Sequence, residues 1–143
     1  MADSGSDSIV IAAPADKILE VVADIEAYPE WMSAFVQARV IERNENGRPL
    51  RAEFEVDAKI KVAEYVLEYE YPVDGVTWKS VEGNVKEIAG SYSFKESAGG
   101  TEVIYEYSID TGFPIPGFLR KQGVKVMVSS ALNDLKRRAE SLT

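Results

Sequence analysis

The apolar positions of this chain follow two different periods. Ser8-Ile9-Val10-Ile11-Ala12 is a short β-branched run that predicts a strand. After Pro14, residues Ile18, Val21, Val22 and Ile25 recur at three- and four-residue spacing, which makes one apolar helical face. Pro14 suits the first helical position, and Asp16 suits the first turn, where a negative charge complements the helix dipole. The helix is expected to end near Asp24. A short further turn should then run to Tyr28, with Pro29 as its stop.

Past Trp31 the period drops to two. Val36, Ala38 and Val40 alternate with Gln37 and Arg39, and Asn44-Glu45-Asn46-Gly47 supplies a turn. Ala52, Phe54, Val56 and Ala58 then alternate with Arg51, Glu53, Glu55 and Asp57, giving one dry and one wet face. Next, the apolar set moves to odd positions, Tyr65, Leu67, Tyr69 and Tyr71, against Glu64, Glu68 and Glu70. A turn or bulge is therefore expected between Lys59 and Glu64.

Pro72-Val73-Asp74-Gly75 turns the chain into a strand through Trp78, and Gly83-Asn84 marks another turn. Ile88, Tyr92 and Phe94 lie on one face of a sixth strand. After Gly99-Gly100, residues Val103, Tyr105, Tyr107 and Ile109 mark a seventh. Pro114-Ile115-Pro116-Gly117 closes the sheet region, and one long helix follows. Val124, Met127, Val128, Ala131, Leu132, Leu135, Ala139 and Leu142 fall on one side of it. Gln122, Lys125, Ser129, Asn133, Lys136, Arg137 and Glu140 fall on the other. The order is strand, two short helices, six strands, long helix. Antiparallel strands with one apolar face need a cover, and only the terminal helix is long enough. The expected class is α+β, with residues 9–143 as one domain behind a polar tail, residues 1–8.

Composition narrows the chemistry. The 143 residues include neither cysteine nor histidine. Disulfides, thiol nucleophiles and Ser-His catalysis are excluded, and zinc loses its usual ligands. No cofactor or metal is expected. The 24 acidic residues against 16 basic ones, a formal net charge of -8, argue against nucleic acid as a partner. No apolar run approaches the ~20 residues that span a bilayer. The first residues lack the basic start and apolar run of a secretory signal, so a cytoplasmic location is expected. Oligomeric state stays open.

Ile11-Ala12-Ala13-Pro14 before the first helix, then Asp24 through Tyr28-Pro29-Glu30-Trp31, is similar to the opening of the START-like (SRPBCC) superfamily. The nearest branch is the polyketide cyclase/dehydrase and coenzyme-Q-binding type. Gly100-Thr101-Glu102-Val103 with Tyr105, the Pro114 to Leu119 segment, and the helix bearing Leu132, Leu135 and Lys136 agree with it. The resemblance spans residues 8 to 142. It implies a helix-grip fold, in which a curved antiparallel sheet of about seven strands wraps the long C-terminal helix over a hydrophobic cavity. It also implies that the cavity takes lipids, isoprenoids, polyketides or other small apolar molecules.

On that fold, the cavity wall is expected from Phe54, Val56, Tyr65, Leu67, Tyr69, Tyr92, Phe94, Tyr105 and Tyr107, with Met127, Val128 and Ala131 from the helix. Two readings of the tyrosines stand: phenols that orient a ligand, or a large core with hydroxyls in water at its edges. The resemblance places Trp31 and Phe35 over the entrance, although Trp31 equally suits an anchor for the short helices. Phe113, Ile115 and Phe118 form the opposite lip or a staple for the long helix. Lys121 reaches the entrance or extends its stem to water. Related polyketide cyclases place a polar group, often arginine, inside the cavity. Here Arg39, Arg51 and the strand carboxylates fall on the wet parity, so no charged group is expected in mid-cavity and no catalytic residue is assigned. The expected function is binding or transport of a small apolar or aromatic ligand, with a polyketide cyclase or dehydratase as the alternative.

Overall fold

Strand parity decides which side of the sheet is covered, and the computed structural model follows it. The structure describes residues 3–32, 34–57, 62–112 and 114–142. Its strands are β1 (Asp3–Ile11), β2 (Phe35–Arg43), β3 (Pro49–Asp57), β4 (Val62–Glu70), β5 (Gly75–Gly83), β6 (Glu87–Ser97) and β7 (Gly100–Asp110). Its helices are α1 (Ala15–Ala23), α2 (Tyr28–Trp31) and α3 (Gly117–Ser141), with a single 3-10 turn at Ile25–Ala27. The strands make one antiparallel sheet in the order β1-β7-β6-β5-β4-β3-β2. Only β1 leaves sequence order, so the two edge strands are joined through α1 and α2. This is the expected helix-grip arrangement.

The dry face holds Ala52, Phe54, Leu67, Tyr69, Tyr92, Phe94, Val103, Tyr105 and Tyr107, all buried. The wet face carries ion pairs such as Arg39–Glu53 at 2.6 Å and Arg51–Glu68 at 3.0 Å. Phe54 pairs with Tyr65, which brings an even and an odd position onto one face. The connection that resets the phase, residues 58–61, lies outside the described residues.

Helix α3 buries Val124, Val128, Leu132, Leu135 and Ala139. Each such side chain contributes roughly 1.5–3 kcal/mol, less for alanine. The helix is tied near both ends to β1 and to Ala12 just after it. Arg120 Nε meets Asp3 Oδ2 at 2.7 Å, Lys136 Nζ donates to the Val10 carbonyl at 2.9 Å, and the Ala12 amide donates to Glu140 Oε2 at 2.8 Å. Beside the buried stripe, Met127, Ala131 and Asp134 share one flank, each half-buried.

Four local expectations are corrected. Residues 3–8, expected as a tail, form the outer part of β1, with Asp3 opposite Ile109 and Gly5 opposite Tyr107. A backbone ladder needs no apolar pattern, and a polar strand gives no periodic signal. Gly5 also lets α3 approach, since a Cβ there would stand 3.0 Å from Val124 Cγ1. Pro29 does not stop a helix. It lies in the first turn of α2, where a missing amide leaves no hydrogen bond unmade. Val36 is 54% exposed because a register shift between Phe35 and Gln37 turns Phe35 inward in its place. Leu142 follows the end of α3 and is exposed.

Candidate functional site

The inner face of the sheet is a field of aromatic rings fixed by register. Tyr69 pairs with Trp78, Trp78 with Gly90, and Gly90 with Tyr107, so one row crosses four strands. In the next row Val76 pairs with Tyr92, and Tyr92 with Tyr105. Tyr92 and Tyr105 stack at 4.6 Å between centroids and 18° between planes. Trp78 lies 5.3 Å from Tyr92 and 5.9 Å from Tyr105, and Tyr107 is 6.0 Å from Tyr105. A second group joins Tyr28, Phe35, Phe54 and Tyr65, with neighbouring rings 5.5 to 6.1 Å apart. Each such contact adds about 0.5–1.5 kcal/mol beyond area burial.

Trp78 was not among the expected wall residues, yet it is the hub of the first group. Its signal in the sequence is an absence. Gly90 occupies the dry parity of β6 between Ile88 and Tyr92 and offers no side chain there. The Trp78 indole fills that gap so closely that a Cβ on Gly90 would stand 2.6 Å from the ring.

The hydroxyls divide the tyrosines. Tyr28 donates to the Val22 carbonyl, and Tyr71 donates to the Pro49 carbonyl at 2.6 Å. Tyr65, Tyr69, Tyr92, Tyr105 and Tyr107 have no hydrogen-bond partner among the described residues. Yet among those residues no side-chain oxygen or nitrogen is both sealed from solvent-sized space and unpartnered. Each of these hydroxyls therefore keeps some surface that a water molecule or a ligand atom can reach. Tyr69, Tyr92, Tyr105 and Tyr107 are under a tenth exposed as residues, and Tyr65 is half-buried.

Electrostatics agree. Burial pushes the Tyr65, Tyr69 and Tyr105 phenols well above their ordinary value, and repulsion among neighbouring phenolates adds to it. Burial also raises Tyr107, and it raises Tyr92 together with the nearby Asp134 carboxylate. The hydroxyls thus stay protonated through neutral pH. They can donate or accept hydrogen bonds and cannot serve as bases.

Among the described residues, Asp110 is the only buried side chain of the acidic or basic type, and it sits at the end of β7. It meets Lys86 Nζ at 3.6 Å and accepts from the Gly112 amide at 3.0 Å. Sequence parity did not single out Asp134, whose field reaches Tyr92 while it pairs with Arg137 at 2.7 Å. Among the described residues no cluster of acidic side chains could hold a metal ion. No helix there is long and apolar enough to cross a membrane.

The helical wall is partly as expected, with Val128 buried and Met127 and Ala131 half-buried against the core. Val56 is half-buried at the end of β3. Of the expected entrance residues, Trp31 and Phe35 both meet the Tyr28 ring, at 5.3 and 5.5 Å between centroids, whereas Phe118 does not join them. Phe35 packs against Phe54, and Trp31 lines a cleft of about 270 Å³ with Val21, Arg138 and Leu142. Phe118 lies at the other end of α3, about 30 Å of helix away from Arg138, and is 72% exposed. Lys121 is exposed and Ile115 half-buried, while Phe113 lies outside the described residues. A polar cleft of about 350 Å³ has Glu20, Glu26, Arg43 and Arg48 among its lining residues.

The model of the family described as polyketide cyclase/dehydrase and lipid transport matches residues 11–136. The chain belongs to that family. The family match takes in α1, β2 to β7 and the buried stripe of α3 as far as Leu135. Solved structures agree in fold. A START superfamily protein from Mycobacterium smegmatis is 22% identical, with a TM-score of 0.88 over 98% of this chain and 99% of that one. The Zhui aromatase/cyclase from Streptomyces sp. R1128 is 16% identical, with a TM-score of 0.78 over 98% of this chain and 94% of the other. A STAR-related lipid transfer protein from Xanthomonas axonopodis is 18% identical, with a TM-score of 0.76 over 95% and 85%.

Proposed function

We propose that this chain binds or carries a small, uncharged, partly aromatic molecule that bears oxygen atoms. The observation that carries the reading is the set of five tyrosine hydroxyls on the dry face of the sheet without partners among the described residues. A purely hydrocarbon occupant strips water from such groups and returns nothing, at about 1–3 kcal/mol for each hydroxyl stranded. A flat molecule with ketone or hydroxyl groups meets them while its rings pack on Trp78, Tyr92 and Tyr105. The relatives named above, one an aromatase/cyclase and one a lipid transfer protein, support an apolar cargo in general.

A second reading, cyclisation or dehydration of a poly-β-keto chain, uses the same wall. Its support is the likeness to the Zhui aromatase/cyclase and the supply of neutral phenols able to donate to a ketone oxygen. It lacks an evident base.

Native mass spectrometry of gently purified protein, followed by titration with a hydroxylated naphthalene and with a long-chain fatty acid, tests the proposal. Quenching of Trp78 fluorescence is the readout, with Trp31→Phe protein isolating that signal. The hydroxylated aromatic is expected to bind more tightly, with loss of affinity in Tyr92→Phe and Tyr105→Phe protein. Equal or tighter binding of the fatty acid, indifferent to both changes, refutes it.

A further inference from the structure

Helix α3 carries on its outer face a patch that neither the fold nor the interior uses. Phe118, Gln122 and Val126 recur at four-residue spacing, and Leu119 lies beside them. Phe118 is 72% exposed, Val126 57% and Leu119 45%. Isolated exposed apolar residues are ordinary, but three large ones on adjoining positions of one helix face form a patch. The outer face of the C-terminal half carries Ser129, Ser130, Asn133 and Arg137 instead.

Charge shows what the patch faces. The chain has a net charge of -8, yet from Thr111 to Asn133 it holds no aspartate or glutamate. The same span holds Arg120, Lys121 and Lys125. Arg120 bonds to Asp3, whereas Lys121 and Lys125 are exposed beside the apolar group. A helix with large apolar side chains on one face and lysines at its margins matches an anionic lipid surface. The apolar groups sink below the headgroups while the lysine stems reach up to the phosphates.

We propose that the outer face of the first half of α3 docks on a lipid bilayer bearing anionic headgroups. A second copy of the chain fits this face less well. A two-fold contact sets Lys121 and Lys125 of one protomer against the same lysines of the other, with no carboxylate on that stretch to neutralise them. The proposal does not depend on what occupies the interior.

Co-sedimentation of the full chain with phosphatidylcholine vesicles, with and without phosphatidylglycerol, tests it. Binding is expected only with phosphatidylglycerol present and should weaken as salt rises. Lys121→Glu with Lys125→Glu should lower partitioning by roughly tenfold or more. Phe118→Ser with Val126→Ser should lower it comparably, since both side chains lose their place in the acyl region. Both variants alter exposed positions, so their thermal melts should match the parent. Failure to bind anionic vesicles, or binding that both variants leave intact, overturns the proposal. So does a dimer in light scattering that Phe118→Ser abolishes, which assigns the face to a second copy.

Discussion

The interior has two neighbourhoods with opposite habits. Around α1 and the C-terminal half of α3 the core is aliphatic and sealed, with Ile11, Ile18, Ile25, Val103 and Leu135 each at most 1% exposed. The tyrosine that borders it, Tyr28, has its hydroxyl tied to the Val22 carbonyl. Across β4 to β7 the wall is aromatic, and five hydroxyls there have no partner among the described residues. The first neighbourhood holds the fold together; on the proposed function, the second meets the ligand. The same residue type, tyrosine, behaves differently in the two places because only one place supplies a backbone carbonyl.

That contrast can be broken by mutation. Leu135→Ala, in the sealed part, is expected to cost about 2–5 kcal/mol in urea unfolding, as a cavity opens where little can collapse. Gly90→Ala pushes a methyl group into the Trp78 indole and should cost about 1–3 kcal/mol, with a shift in tryptophan fluorescence. Tyr28→Phe removes a hydrogen bond and leaves the Val22 carbonyl without it, for a loss of about 1 kcal/mol. Tyr105→Phe removes a hydroxyl with no protein partner among the described residues and should change stability by less than about 0.5 kcal/mol. If Tyr105→Phe costs as much as Tyr28→Phe, the two neighbourhoods are not distinct.

Alkaline titration sharpens the same point. Buried phenols have folded-state values above the ordinary one near 10, and Tyr71 is pushed up to about 12. Tyr28, Tyr65, Tyr69 and Tyr105 are raised further than an exposed phenol by burial. The unfolded chain therefore releases these protons first. The stability they contribute is fully present below pH 10 and drains away as pH rises through the folded values. Tyrosinate absorbance should accordingly rise together with unfolding rather than ahead of it. A stepwise rise in native protein would count against enclosure.

Most of the fold was legible because parity and period report which side of each element is dry. Phe54, Tyr92, Tyr105 and Val128 were all placed inward on that basis, and they are. Parity is silent where pairing runs through backbone alone, which hid the outer half of β1 behind Asp3, Ser4, Gly5 and Ser6. It also misleads at a bulge, as Val36 and Phe35 show. The site was less legible than the fold. Which tyrosine hydroxyls find a carbonyl depends on the register between strands, such as the β3–β4 pairing that brings Pro49 to Tyr71, and the periodicity of one strand does not encode that. Trp78 and Asp134 were missed for a related reason: each matters through a neighbour on a different element.

The protonated phenols have a consequence for selection. For an occupant of the proposed kind, the wall offers hydrogen bonds but no counter-ion, and Asp134 adds a negative field beside Tyr92. A weak acid can shed its water there only in its neutral form, because a lone buried carboxylate costs more than phenol hydrogen bonds return. Its apparent affinity is expected to fall about tenfold for each pH unit above its own pKa. An uncharged ketone or quinol of the same outline should bind equally well across that range. On the proposed function, then, the interior would act as a proton-gated sieve, discriminating between molecules of one shape by whether they have kept their hydrogen.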